Sequence, residues 1–184
     1  MGVSRRTILK YGLGGASLLA LGGAGLAMRP TKMVTPQREL LLLSPTEYSI
    51  LVAVASAMLD GVEGFPSARE TQIAETVDEA LYSCHPGVQK EFVQLLGLLE
   101  SALAGFLLAG RATPFSMLSI EERREVLESW RAARMPLFRT GFKALQGLIT
   151  ASYYNLPQVH ERVGYPGVPV WLTAVRKAGM EPQP

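Results

Sequence analysis

Two histidines, a single cysteine and a string of glutamates are the first places to look for chemistry in this sequence of 184 residues. A carboxylate-bridged iron pair inside a helical bundle needs inward glutamates and Glu-x-x-His pairs on facing helices, and no Glu-x-x-His occurs. His85 lies between Cys84 and Pro86, and His160 sits in QVHERVG. Neither belongs to a Cys/His spacing that closes a zinc site, and the haem-attachment pattern C-x-x-C-H is missing. Axial haem ligation by either imidazole stays open; a helix cap or a surface position is the plainer reading. As a nucleophile Cys84 would need a base, and His85, one residue on, does not face it on a helix. The sequence has no G-x-S-x-G elbow and no glycine-rich phosphate loop. Glu121, Glu122, Glu125 and Glu128 alternate with Arg123, Arg124 and Arg131, which predicts solvated charge pairs at helical spacing. The expectation is a chain with no catalytic, cofactor-binding or metal-ligating residue of its own.

The elements that would position these side chains all read as helices. Ser44-Pro45-Thr46-Glu47, Ser67-Ala68-Arg69-Glu70 and Ser119-Ile120-Glu121-Glu122 each set Ser three residues ahead of Glu. At that spacing each side chain takes one orphan backbone N–H of a helix start. The first apolar run puts Tyr48, Leu51, Val52, Ala55, Met58 and Leu59 on one face and closes at Gly61. A second, from Ser67 to about Tyr82, buries Ile73, Val77, Ala80 and Leu81 and turns its acids outward. A third runs from Pro86 to Gly110 with Val88, Phe92, Leu95, Leu96, Leu99, Leu103, Phe106 and Leu107 in register. Its stripe has the composition to embrace a flavin or quinone, but at helical spacing it reads as core. A fourth, Ser119 to Arg134, turns Leu127 and Trp130 inward. Pro136 separates it from a fifth, Leu137 to Tyr153, whose apolar side is Leu137, Phe138, Gly141, Phe142, Leu145, Leu148 and Ile149. No stretch alternates with period two for long enough to be a strand. The predicted fold is all-α, a five-helix bundle over residues 44–152 with short connections.

Ahead of the bundle stands SRRTILK, Ser4 to Lys10, followed by a glycine-rich apolar run from Tyr11 to Ala27 with no acidic residue. A cationic head and an apolar middle are the parts of a secretory signal. The adjacent Arg5 and Arg6, with Ser4, Ile8, Leu9 and Lys10, match the twin-arginine pattern S-R-R-x-φ-φ-K. A spanning helix wants ~20 strongly apolar residues, and six glycines between Gly12 and Gly25 dilute this one. Residues 1–27 are therefore predicted to be an export signal helix cleaved after Ala27. The alternative is an uncleaved leader that stays in the membrane as an anchor. No cysteine follows to take a lipid. The leader holds three of the 18 basic residues and none of the 16 acidic ones, which leaves the mature chain close to neutral, at about −1. The basic balance thus belongs to the leader, and nucleic-acid binding drops out. Roughly 157 mature residues suit one domain with its own core. In an oxidising compartment Cys84 is either a free, buried thiol or one half of a disulfide to another chain.

Residues 28–43 read as an extended arm ending in the apolar RELLLL. Residues 153–184 form a tail rich in aromatics, proline and glycine, including YYNLP and GYPGVPVWL. Such a tail packs on its own bundle or on a partner, and rings with few charges are typical interface anchors. The predicted contact residues are Leu41, Leu42, Cys84, Tyr153, Tyr154, Tyr165, Pro166 and Trp171.

With its twin-arginine leader, the L-[ST]-P-x-[ED] start at Leu43-Ser44-Pro45-Thr46-Glu47 and a helical middle, the chain resembles a known family. The tail adds A-x-Y-Y-x-x-P (Ala151, Tyr153, Tyr154, Pro157) and then G-Y-x-G (Gly164, Tyr165, Gly167). Together these are similar to the small subunits of membrane-associated, flavin-dependent dehydrogenases. That group comprises the gluconate 2-dehydrogenase subunit 3 family and the gamma subunits of related glucose, fructose and alcohol dehydrogenases. The Y-G-G-N segment of the sugar-acid branch is missing between the tail motifs. The shorter tail resembles subunits that accompany other alcohol or sterol oxidoreductases of the glucose-methanol-choline class. The resemblance implies that FAD and the chemistry belong to a large partner subunit without an export signal of its own. The small chain would supply the signal and help the partner fold. A cytochrome c subunit is compatible with the same assembly, as is membrane contact through the complex. An obligate pair of this kind buries more than ~2,000 Å2. The reading from a different class is a self-sufficient periplasmic helical protein that binds an apolar ligand or cofactor within its bundle.

Overall fold

The structure, a computed structural model, describes residues 31–101 and 113–167. Arg5, Arg6, the signal helix and Trp171 lie outside the described residues, as do Leu103, Phe106, Leu107 and Gly110 of the third apolar run. Among the described residues the chain is all-α, as the periodicity predicts. The helices are α1 (Pro45–Leu59), α2 (Ile73–Tyr82), α3 (Pro86–Glu100), α4 (Ile120–Arg131), α5 (Pro136–Tyr154) and the short α6 (Pro157–His160), with a 3-10 turn at Phe115–Met117.

Two of the three Ser/Glu pairs start helices in the predicted way. Ser44 Oγ accepts the Glu47 N–H at 3.3 Å while the Glu47 carboxylate accepts the Ser44 N–H at 2.7 Å. Ser119 and Glu122 repeat this ahead of α4 at 3.3 and 2.9 Å. Each such cap is worth about 1 kcal/mol. The third pair also forms, at 2.7 and 3.2 Å between Ser67 and Glu70, yet no helix follows directly. Asp60 Oδ1 accepts the Ala68 N–H, and the Thr71 hydroxyl donates to the carbonyls of Ser67 and Ala68. These local bonds offer the backbone an alternative to the helical ladder. The chain turns through Gln72 at φ 50°, and α2 begins only at Ile73. The third predicted helix is likewise interrupted, because α3 stops at Glu100 and Ser101 is extended.

α1 is the centre of the bundle. It touches α2, α3, α4, α5 and the 3-10 turn. The expected single buried face is therefore a buried circumference: Ile50, Leu51, Ala53, Val54, Ala55 and Ala57 are all inside. Fully burying a residue such as Leu51 contributes about 1.5–3 kcal/mol. α4 and α5 meet through an edge-on contact of Trp130 with Phe138, ring centroids 5.1 Å apart. Gly141 of α5 backs onto Trp130 and Leu95, so the absence of a side chain there lets the helices approach. Leu127, Phe142, Leu145 and Ile149 complete that side of the core as predicted, joined by Val126.

Two charge expectations are corrected. Arg123 and Arg124 are not in solvated pairs. Arg124 donates to the Ala57 and Asp60 carbonyls at the end of α1, and Arg123 to those of Phe115 and Ser116. Burial lowers the Arg123 pKa, partly offset by the nearby Glu100 charge. Arg131 follows the expected pattern, pairing with Glu128 at 2.6 Å on the surface. The acids of α2 do not all turn outward either: Glu75 is 4% and Asp78 1% exposed.

Candidate interaction surface

At the C-terminal end of α5 the two consecutive tyrosines part company. Successive helix positions are about 100° apart, so one ring faces in and the other out. Tyr153 is 3% exposed and its hydroxyl donates to the Pro66 carbonyl at 2.7 Å. Burial raises its pKa, with neighbouring Tyr154, Asp60 and Glu70 adding in the same direction. This chain's own core therefore covers Tyr153, leaving the outward ring to face solvent. Tyr154 is 53% exposed.

Pro157 stops α5 and starts the single turn of α6, whose Val159 is fully buried. That anchor brings the following loop back toward the end of α5. The Tyr165 N–H donates to the His160 carbonyl at 2.9 Å, and the His160 and Tyr165 rings stack edge-on at 4.8 Å. Ala151, Tyr154, Asn155, His160, Val163 and Tyr165 thus line an open cleft of about 360 Å3. Tyr165 is 46% exposed, and Pro166 beside it is also exposed. Tyr154, Tyr165 and Pro166, predicted from the tail motifs, are gathered at one end of the bundle, while His160 enters the cluster without having been predicted there.

The remaining predicted contacts belong to the arm and to α2. Leu41 is 51% exposed, but Leu42 packs against the core and Leu43 is buried. Cys84, half-buried just beyond α2, donates its thiol hydrogen to the Ala80 carbonyl at 3.3 Å. His85 caps α3, its Nδ1 accepting the Gly87 N–H at 3.1 Å.

The residues that the periodicity misses are the buried carboxylates. Asp78 accepts the N–H groups of Leu41, Leu42 and Leu43 at 2.6, 3.2 and 2.8 Å. Glu75 accepts the Gln37 N–H at 3.0 Å and the Tyr48 hydroxyl at 2.8 Å. Glu100, 3% exposed, accepts both the N–H and the hydroxyl of Ser116. All three bind backbone or hydroxyl donors of this same chain. A signal was present in the sequence: acids within an apolar helix face opposite a segment whose backbone has no ladder to join.

No group of three or more His, Cys, Asp or Glu among the described residues is arranged to hold a metal ion. No described helix is long and apolar enough to cross a membrane. No protein-family model, curated protein or solved structure matches the chain.

Proposed function

We propose that this chain is the non-catalytic small subunit of a periplasmic, FAD-dependent dehydrogenase of the glucose-methanol-choline class acting on an alcohol or sugar. It supplies the twin-arginine signal through Arg5 and Arg6 and supports the folding and assembly of the large subunit. FAD and the reacting groups then reside in that partner, and the assembly is compatible with a cytochrome c subunit as a further chain.

The observation that carries this reading is the exposed ring cluster of Tyr154 and Tyr165 around a cleft at the root of the tail. Aromatic rings left in solvent beside an apolar valine are the composition of an interface core rather than of an ordinary surface. The leader pattern and the two tail motifs give the surface its expected partner. The alternative, an apolar ligand held within the bundle, calls for a cavity of roughly 300 Å3 or more. Among the described residues, the void beside Tyr48 and Glu75 is about 10 Å3, room for about one water and not for such a ligand.

The decisive experiment expresses a flavoprotein encoded beside this chain with and without it. Periplasmic, FAD-loaded partner only in the presence of this chain is the expected result. Equal export and equal flavin content in both cases would refute the proposal. A visible spectrum of the purified chain separates the alternative, since flavin or haem bands from this chain alone would favour it.

A further inference from the structure

The arm preceding α1 has no regular secondary structure and bends at residues 37–38 and 41–42, yet its backbone donors are taken up one after another by side chains of the bundle. Lys32 N–H donates to Ser116 Oγ at 3.2 Å, and Val34 N–H to Ser49 Oγ at 2.9 Å. Gln37 N–H reaches Glu75, and Leu41 to Leu43 converge on Asp78. The acceptors come from α1, α2 and the 3-10 turn, elements up to 84 residues from their donors in sequence. They are also oriented in advance. Ser116 gives its own hydroxyl hydrogen to Glu100 at 2.6 Å, Ser49 gives its to the Pro45 carbonyl at 2.7 Å, and Tyr48 fixes Glu75. Each hydroxyl therefore has only a lone pair left to offer, which an N–H can use. The polar side-chain contacts of the arm, Arg38 with Glu79 and Gln37 with Gln72, are exposed and contribute little, while Val34, Leu40 and Leu42 pack against the core and Leu43 is buried in it.

We propose that residues 31–43 are a fold-dependent strap. The bundle grips it by its main chain and by the apolar side chains of Val34, Leu40, Leu42 and Leu43, so it attaches only after α1, α2 and the 3-10 turn have assembled, and it can detach as a unit while they stay folded. Whatever chain precedes Thr31 is thereby tied to the body only when the body is folded. The strap is independent of the small-subunit reading, because its grip involves no partner and no leader residue.

Amide hydrogen exchange on the full chain, with Asp78→Asn compared with the parent, tests this. Asparagine loses the charge and turns an N–H toward the Leu41 to Leu43 donors. Weakening hydrogen bonds to a charged acceptor should speed exchange at residues 34, 37 and 41–43 together, by roughly tenfold or more. Trypsin should cut after Arg38 faster by a similar factor, while amides within α1 and α5 keep their protection. Ser49→Ala, a milder change at the other end of the track, should accelerate the same set. Unchanged exchange in the strap would overturn the proposal. So would equal acceleration in the strap and in the helices, because the arm would then be an integral part of the bundle. If Asp78→Asn fails to fold, the Ser49→Ala comparison decides on the same criteria.

Discussion

Two glycines of α5 provide a sharp test of the packing. In a helix interior, replacing Gly by Ala ordinarily stabilises by about 1 kcal/mol, because alanine restricts the unfolded chain and gains helix propensity. Gly147 is exposed and a Cβ there would meet nothing within 4 Å, so Gly147→Ala should realise that gain. At Gly141 a Cβ would stand 2.6 Å from Leu95 Cδ1 and 3.1 Å from Trp130 Cζ3. The leucine methyl is the end of a flexible side chain, but Leu95 is 8% and Trp130 1% exposed, so neither has free space to move into. Overpacking of this kind costs about 1–3 kcal/mol, which outweighs the propensity gain. Gly141→Ala should therefore destabilise by about 1 kcal/mol, and the two variants should differ by about 2 kcal/mol. For a chain of this size 1 kcal/mol moves Tm by about 2–4 °C. Thermal melts followed by far-UV circular dichroism should place Gly147→Ala above the parent and Gly141→Ala below it. A Gly141→Ala protein as stable as Gly147→Ala would refute the close approach of α5 to α3 and α4.

Tyr153→Phe removes the hydroxyl bonded to the Pro66 carbonyl and should cost about 1 kcal/mol in urea unfolding, whereas Tyr154→Phe should be neutral. For Tyr48, burial foremost and the hydrogen bond to Glu75 next hold the hydroxyl protonated well above the ordinary phenol range. A folded-state pKa raised in this way contributes stability that is fully present below the unfolded value of about 10 and lost as pH rises past it. Tm should therefore fall above about pH 10, and Tyr48→Phe should flatten that fall; an identical alkaline profile in the variant would count against the buried Tyr48 to Glu75 pair. Replacing Tyr154 and Tyr165 together with alanine should weaken capture of the large subunit at least tenfold, as loss of interface anchors does, with the bundle's own Tm unchanged.

Helix content and core were legible where apolar spacing and a cap agreed, as at Ser119 to Trp130, and through α5 from the spacing after Pro136 without a side-chain cap. The start of α2 was not, because the Ser67 and Glu70 pair forms the same two bonds in a turn as it does at a helix start. Which of these results depends on Asp60 and Thr71, and neither is part of the local pattern. The spacing of Tyr48, Leu51, Val52, Ala55, Met58 and Leu59 assigns α1 a single buried face although Ile50, Ala53, Val54 and Ala57 on its other side are also apolar, because spacing does not say how many neighbours surround a helix. The predicted contact residues divide in the same way. The tail composition pointed to exposed rings, but which of two adjacent tyrosines faces solvent follows from the phase of α5, set by Phe142, Leu145 and Ile149. Asp78 and Glu75 do not stand out in the pattern because a carboxylate counts as surface until its donors are known, and those donors are backbone groups 35 to 38 residues away and, for Glu75, the Tyr48 hydroxyl as well.

A fold wound around one spindle has no smaller piece that stands by itself. Each of the other long helices leans on α1, and the alanines along it keep those neighbours close. Pull the spindle out and each outer helix shows water the stripe it had turned toward α1. Melting should accordingly come as a single step, and proteolytic fragments that lack residues 45–59 should not persist.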